Sequence, residues 1–99
     1  MYYIITAFDK ENSLELRMGV RSDHLAYAKE KGITVLAGPL LTETDDPKPR
    51  GSMLIVEVES REQAEDFAAN DPYNKAGLFE KVTIRRWMGA LGPWLPSQG

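Results

Sequence analysis

This 99-residue chain has no cysteine. That excludes disulfides, thiolate nucleophiles and thiolate-bound metals together, and it fits a reducing compartment. Histidine is nearly missing too, since His24 is the only one. A tight zinc site is therefore not expected, and His24 with Asp71 offers weak metal binding at most. Long apolar runs are absent: no segment approaches the roughly 18 residues of a membrane span. Tyr2–Phe8 is short, aromatic and β-branched, with no positively charged segment before it, and it reads as a strand and not as a signal peptide. The expected location is cytoplasmic, with no membrane partner. Basic runs are also lacking. The 12 Lys and Arg are scattered among 15 Asp and Glu, and a net charge of -3 argues against nucleic acid. There is no GxGxxG, no GxxxxGKS/T and no serine in a nucleophile elbow. No cofactor is expected.

What remains is ordinary for a globular protein, with 42% hydrophobic and 27% charged residues. The length suits one domain over residues 1–99. Such a domain buries roughly two-thirds of its unfolded surface, so a partner subunit would help it.

The chain shows no repeat and no low-complexity tract. Tyr2–Phe8 predicts the first strand. Asn12 with Glu15 resembles a capping box and opens a helix from about Ser13 to Lys31. Leu14, Met18, Leu25 and Ala28 supply its apolar stripe, and Gly32 is its natural stop. Ile33–Leu41 predicts a second strand, followed by the loop Thr42–Arg50 with Pro47, Pro49, Asp45 and Asp46. Ser52–Glu59 predicts a third strand. Ser60 and Gln63 form a second capping box, opening a short helix with Ala64, Phe67 and Ala68 inward. It stops before Pro72. Leu78–Met88 predicts the last strand, and Gly89–Gly99 an irregular tail with apolar Leu91, Trp94 and Leu95.

The order β-α-β-β-α-β is the ferredoxin-like pattern of an α+β fold: a four-stranded antiparallel sheet with both helices on one face. Strand one offers Tyr3, Ile5 and Ala7 on one side and Tyr2, Ile4 and Phe8 on the other. Strand three offers Leu54, Val56 and Val58 against Met53 and Ile55. Neither side is cleanly polar, so a second copy of the chain is expected over the uncovered face, as a two-fold homodimer.

Candidate site residues follow from spacing. Arg17, Arg21 and His24 lie at i, i+4 and i+7 of the first helix, on one face apart from the apolar stripe. Two cations beside an imidazole favour its neutral form, the form a base needs, and suit an anionic or phenolic ligand. The plain alternative is a charged, solvated helix face. Asp71 can orient His24 by accepting from one ring nitrogen. It can equally cap a helical turn that begins at Pro72. Gly38-Pro39 and Gly51-Ser52 lie at strand ends, where glycine lets a backbone approach a ligand and Ser52 can donate to it. Turn chemistry is the plain alternative there. Trp87 and Trp94 read as core or interface residues.

Taken in order, Arg21-Ser22-Asp23-His24-Leu25, Gly32, Ala37-Gly38-Pro39-Leu40, Gly51-Ser52, Asn70-Asp71-Pro72-Tyr73 and Gly77-Leu78 resemble the YCII family, small domains of the dimeric α/β-barrel type. The resemblance runs from Tyr2 to about Trp87. It implies a His–Asp active-site pair at His24 and Asp71, and one relative performs a lyase-type dehydrochlorination of a chlorinated hydroxyhydroquinone. Tyr73, where many relatives carry Phe, brings a hydroxyl near the site. Two functions follow as expectations. One is a cofactor-free lyase or isomerase for a small oxygenated ring, with His24 as base, Asp71 as its orienting partner, Arg21 and Arg17 on developing negative charge, and Ser52, Gly38 and Pro39 lining the pocket. The other is a non-catalytic domain that binds a small ligand or a protein.

Overall fold

A computed structural model describes residues 1–93. Its elements are β1 (Tyr2–Asp9), α1 (Leu14–Lys31), β2 (Thr34–Leu41), β3 (Pro49–Glu57), α2 (Arg61–Ala69), α3 (Pro72–Lys75) and β4 (Phe79–Trp87). The strands form one antiparallel sheet in the order β2-β3-β1-β4. This is the ferredoxin-like arrangement that the element order predicts. Gly89–Pro93 is irregular, and the expectations for Trp94 and Leu95 lie outside the described residues.

Alternation along β1 and β3 decides the layers. Tyr3, Ile5, Leu54, Val56 and Val58 point to one face, where Ala64 and Phe67 of α2 close the core. Tyr27 of α1 stacks on Phe67 and donates its hydroxyl to the Phe67 carbonyl at 2.8 Å, tying the two helices together. On the other face, register places Ile4 beside Ile55, Thr6 beside Met53 and Gly38 beside Met53. Ile55 is buried there, while Phe8 and Leu36 are exposed. No helix covers this face in the described chain.

α2 is capped as its sequence predicts. The Gln63 N–H donates to Ser60 Oγ at 3.2 Å, and Gln63 Oε1 accepts from the Glu59 N–H at 2.9 Å. α1 is not. Its N-cap is Ser13, with no side-chain cap bond, and Asn12 lies in the left-handed region at φ 58°. Asparagine tolerates that conformation better than most residues.

The predicted apolar stripe of α1 is corrected in part, since of its four residues only Ala28 packs against the core. Leu14, Met18 and Leu25 are exposed, and the buried residues of α1 are Arg17 and His24. The helix turns a polar stripe inward because buried partners wait for it, as described below.

Strand bounds move as well. β3 starts at Pro49, three residues before the expected Ser52, which shortens the preceding loop to 42–48. Gly38 and Pro39 lie within β2 and not at its end. Proline is accommodated there because β2 is an edge strand. Gly51 is inside β3, and its role is steric. A Cβ there would meet the Ala7 carbonyl oxygen of β1 at 2.5 Å, so the close approach is to the protein's own backbone.

Gly51→Ala should therefore lower stability by about 1–3 kcal/mol, whereas Gly38→Ala, whose Cβ would meet nothing within 4 Å, should stay within about 0.5 kcal/mol. Urea unfolding of the two variants measures the contrast.

Candidate functional site

A cleft of about 380 Å³ opens between α1, β2 and β3, with Tyr73 of α3 in its wall. Arg17, Arg21 and His24 line it from the helix, Gly38 and Pro39 from β2, and Ser52 from β3. Met18 and Leu25 line it too, so the expected core stripe forms part of the wall of the cleft. The sequence candidates thus meet around one concavity. Asp71 reaches it through His24.

Arg17, His24, Ser52 and Asp71 are the buried polar residues among those described. Each has partners. His24 Nδ1 lies 2.9 Å from both Asp71 oxygens. Asp71 Oδ1 also accepts from the Tyr73 N–H at 2.9 Å, and Asp71 is the N-cap of α3 with Pro72 at N1. The two readings of Asp71 left open by the sequence hold together: one carboxylate caps the turn and meets the imidazole. An acceptor-only carboxylate at Nδ1 requires that nitrogen to carry a proton, so in the neutral imidazole the lone pair is on Nε2.

Tyr73 binds the parts together. Its ring stacks on His24, with centroids 4.2 Å apart and planes at 18°. The Arg17 guanidinium lies 4.6 Å from the same ring centroid. Burial raises the Tyr73 hydroxyl above its ordinary value; Arg17 and Arg21 pull it down, and Asp71 and Asp9 push it up. The phenol is thus neutral at physiological pH.

Arg17 corrects an expectation. It is no solvated cation, although it lines the cleft. Its Nε and Nη2 donate to the two oxygens of Asp9 at 2.7 and 3.0 Å, and Nη2 also donates to Ser52 Oγ at 2.8 Å. Asp9 was not singled out in the sequence, because nothing in helical spacing links it to Arg17. The buried charge on α1 was the available signal, since such a charge requires a counter-charge. Arg21 makes no ion pair among the described residues and is exposed beside the cleft. Those residues include no cluster of three metal-ligating side chains, and no helix long and apolar enough to cross a membrane.

Comparison with known proteins shows the family. The family model of the YCII-related domain matches residues 1–88. The chain belongs to the YCII family. Protein YciI of Escherichia coli O6:H1 is 40% identical over 92 residues, covering 86% of this chain and 94% of that protein. An uncharacterized protein of Haemophilus influenzae is 39% identical over 93 residues, with the same coverage. Among solved structures, 5-chloro-2-hydroxyhydroquinone dehydrochlorinase (TftG) of Burkholderia phenoliruptrix AC1100, in complex with 2,5-dihydroxybenzoquinone, matches with a TM-score of 0.80 at 39% identity, over 90% of this chain and 96% of that one. An antibiotic biosynthesis monooxygenase matches with a TM-score of 0.55 at 12% identity and shares the fold.

Asp71→Ala removes the cap of α3 and leaves the buried His24 nitrogen unpaired. It should cost about 2–3 kcal/mol. Asp71→Asn keeps a cap acceptor and should cost clearly less. Denaturant unfolding of the two variants distinguishes them.

Proposed function

We propose that this cleft binds a small, cyclic, oxygenated molecule, and that His24 and Asp71 act on it as a general acid–base pair in a cofactor-free elimination or isomerisation. The observation that carries the reading is the engagement of His24 Nδ1 by both Asp71 oxygens in a buried setting beside the cleft. It leaves Nε2 as the proton acceptor. In an elimination, Nε2 takes a proton from a C–H or O–H of the ligand. The released electron pair becomes a π bond as the leaving group departs from a neighbouring atom with its own bonding pair. Asp71 stabilises the imidazolium, which then gives its proton to water or to the leaving group. In an isomerisation the same proton returns to a different atom.

Arg21 is the guanidinium for negative charge that develops on a ligand oxygen. Ser52, Gly38 and Pro39 line the bound ring, and Tyr73 keeps the imidazole in place. A volume of about 380 Å³ admits a single substituted ring. The structural neighbour that dehydrochlorinates a hydroxyhydroquinone supports a lyase-like reaction on such a ring.

The test is an elimination assay on a chlorinated hydroxyhydroquinone, read by chloride release. His24→Gln should abolish turnover while unfolding stays cooperative at an unchanged midpoint. Asp71→Asn should lower the rate by about 10²–10⁴-fold. Saturable binding with no chloride release would assign the cleft to ligand capture instead.

We also propose that a second copy of the chain covers the open sheet face. Ile4, Met53, Ile55, Phe8 and Leu36 give it an apolar centre, and Glu57, Lys81 and Arg85 lie on the same face. Sedimentation velocity should show two copies for the native chain and one for Ile55→Lys.

A further inference from the structure

Asp9, like its partner Arg17, is a buried charged group that the proposed chemistry does not use. It ends β1, where the β1–β4 register shifts between Phe8 and Asp9. Its side chain and that of Arg17 are each only 5% exposed. An isolated guanidinium at that depth would be strongly destabilising, so Asp9 is required for Arg17 to stay inside. The carboxylate does more than balance charge. Two parallel N–H donors on two oxygens fix the plane of the guanidinium as well as its position. Ser52 Oγ takes a further N–H from the same side chain. A guanidinium held in this way presents a fixed surface to Tyr73, whose ring centroid is 4.6 Å from it. The same ring stacks on His24.

Tyr73 is thus held at two points. Its backbone N–H is fixed by Asp71, and its ring by Arg17 and His24. The path from Asp9 through Arg17 and Tyr73 ends on the imidazole, and it involves no group of the His24–Asp71 pair until its last contact. The pairing has a second consequence. With Asp9 compensating Arg17, Arg21 is the guanidinium beside the cleft that has no ion pair among the described residues.

We propose that Asp9 is a positioning residue of the site: acting through Arg17, it sets the ring of Tyr73 against His24. The proposal rests on the reading of His24 as the group that acts on the ligand.

The experiment uses the single histidine as its own probe. His24 ring protons stacked on an aromatic ring resonate upfield of free histidine, and with one histidine their assignment is unambiguous. They are recorded in the native chain, Asp9→Asn, Arg17→Lys and the charge-free double variant Asp9→Leu/Arg17→Met. The upfield shift should be lost in all three variants. Arg17→Lys keeps the charge but cannot reproduce the planar fork. If Asp9→Asn does not fold, the double variant decides, because replacing a buried ion pair by apolar side chains is commonly tolerated. A merely structural pair would lower the unfolding midpoint and leave the His24 protons in place. Native His24 shifts in the folded double variant overturn the proposal. The functional reading fails separately, if His24→Gln retains native turnover.

Discussion

One carboxylate joins the fold of this protein to its site. Asp71 must accept the Tyr73 N–H for the turn α3 to begin, and its two oxygens meet His24 Nδ1. The backbone geometry of the cap therefore sets where the imidazole partner stands. The turn positions Tyr73 two residues later, so that its ring stacks on the same imidazole. Local chain geometry of three residues, Asp71-Pro72-Tyr73, thus delivers both the partner and the packing surface of His24. Proline at N1 presets the turn without needing an N–H of its own.

The rest of the domain divides into two regions of different character. Beneath α2 the core is apolar, built from Tyr3, Ile5, Leu54, Val56, Val58, Ala64 and Phe67. Along the stretch of α1 from Arg17 to His24 the interior is polar, built from Asp9, Arg17, Ser52, His24 and Asp71. Buried ion pairs seldom add net stability over apolar packing of the same volume. Their presence in a domain of this size is better explained by what they hold in place: an imidazole with one nitrogen engaged and the other available, beside a cleft of single-ring size.

Much of the fold was legible in the sequence because the first strand is a short run of aromatic and β-branched residues, the strand and helix segments follow one another in a recognisable order, and Ser60 with Gln63 marks a helix start in local chemistry alone. The inward face of α1 was not. Leu14, Met18 and Leu25 have helical spacing, but spacing cannot tell a core from the wall of a cleft. Here the sheet beneath carries Ser52, and β1 ends in Asp9, so the polar stripe turned inward. Arg17, Arg21 and His24 were legible as one cluster, since they are neighbours on a single helix. Asp9 was not, because its partnership with Arg17 links a strand end to a helix. Only the three-dimensional crossing of those elements brings them to 2.7 Å. Gly51 was legible as a special position, but the reason, a β1 carbonyl in the way of any Cβ, is a property of strand pairing.

The central claim is that Asp71 holds His24 with its proton on Nδ1 and its lone pair on Nε2. A long-range ¹H–¹⁵N correlation spectrum of the free protein, at a pH where the imidazole is neutral, reads this tautomer directly. The account predicts the Nδ1–H form, and a spectrum dominated by the Nε2–H form would contradict it.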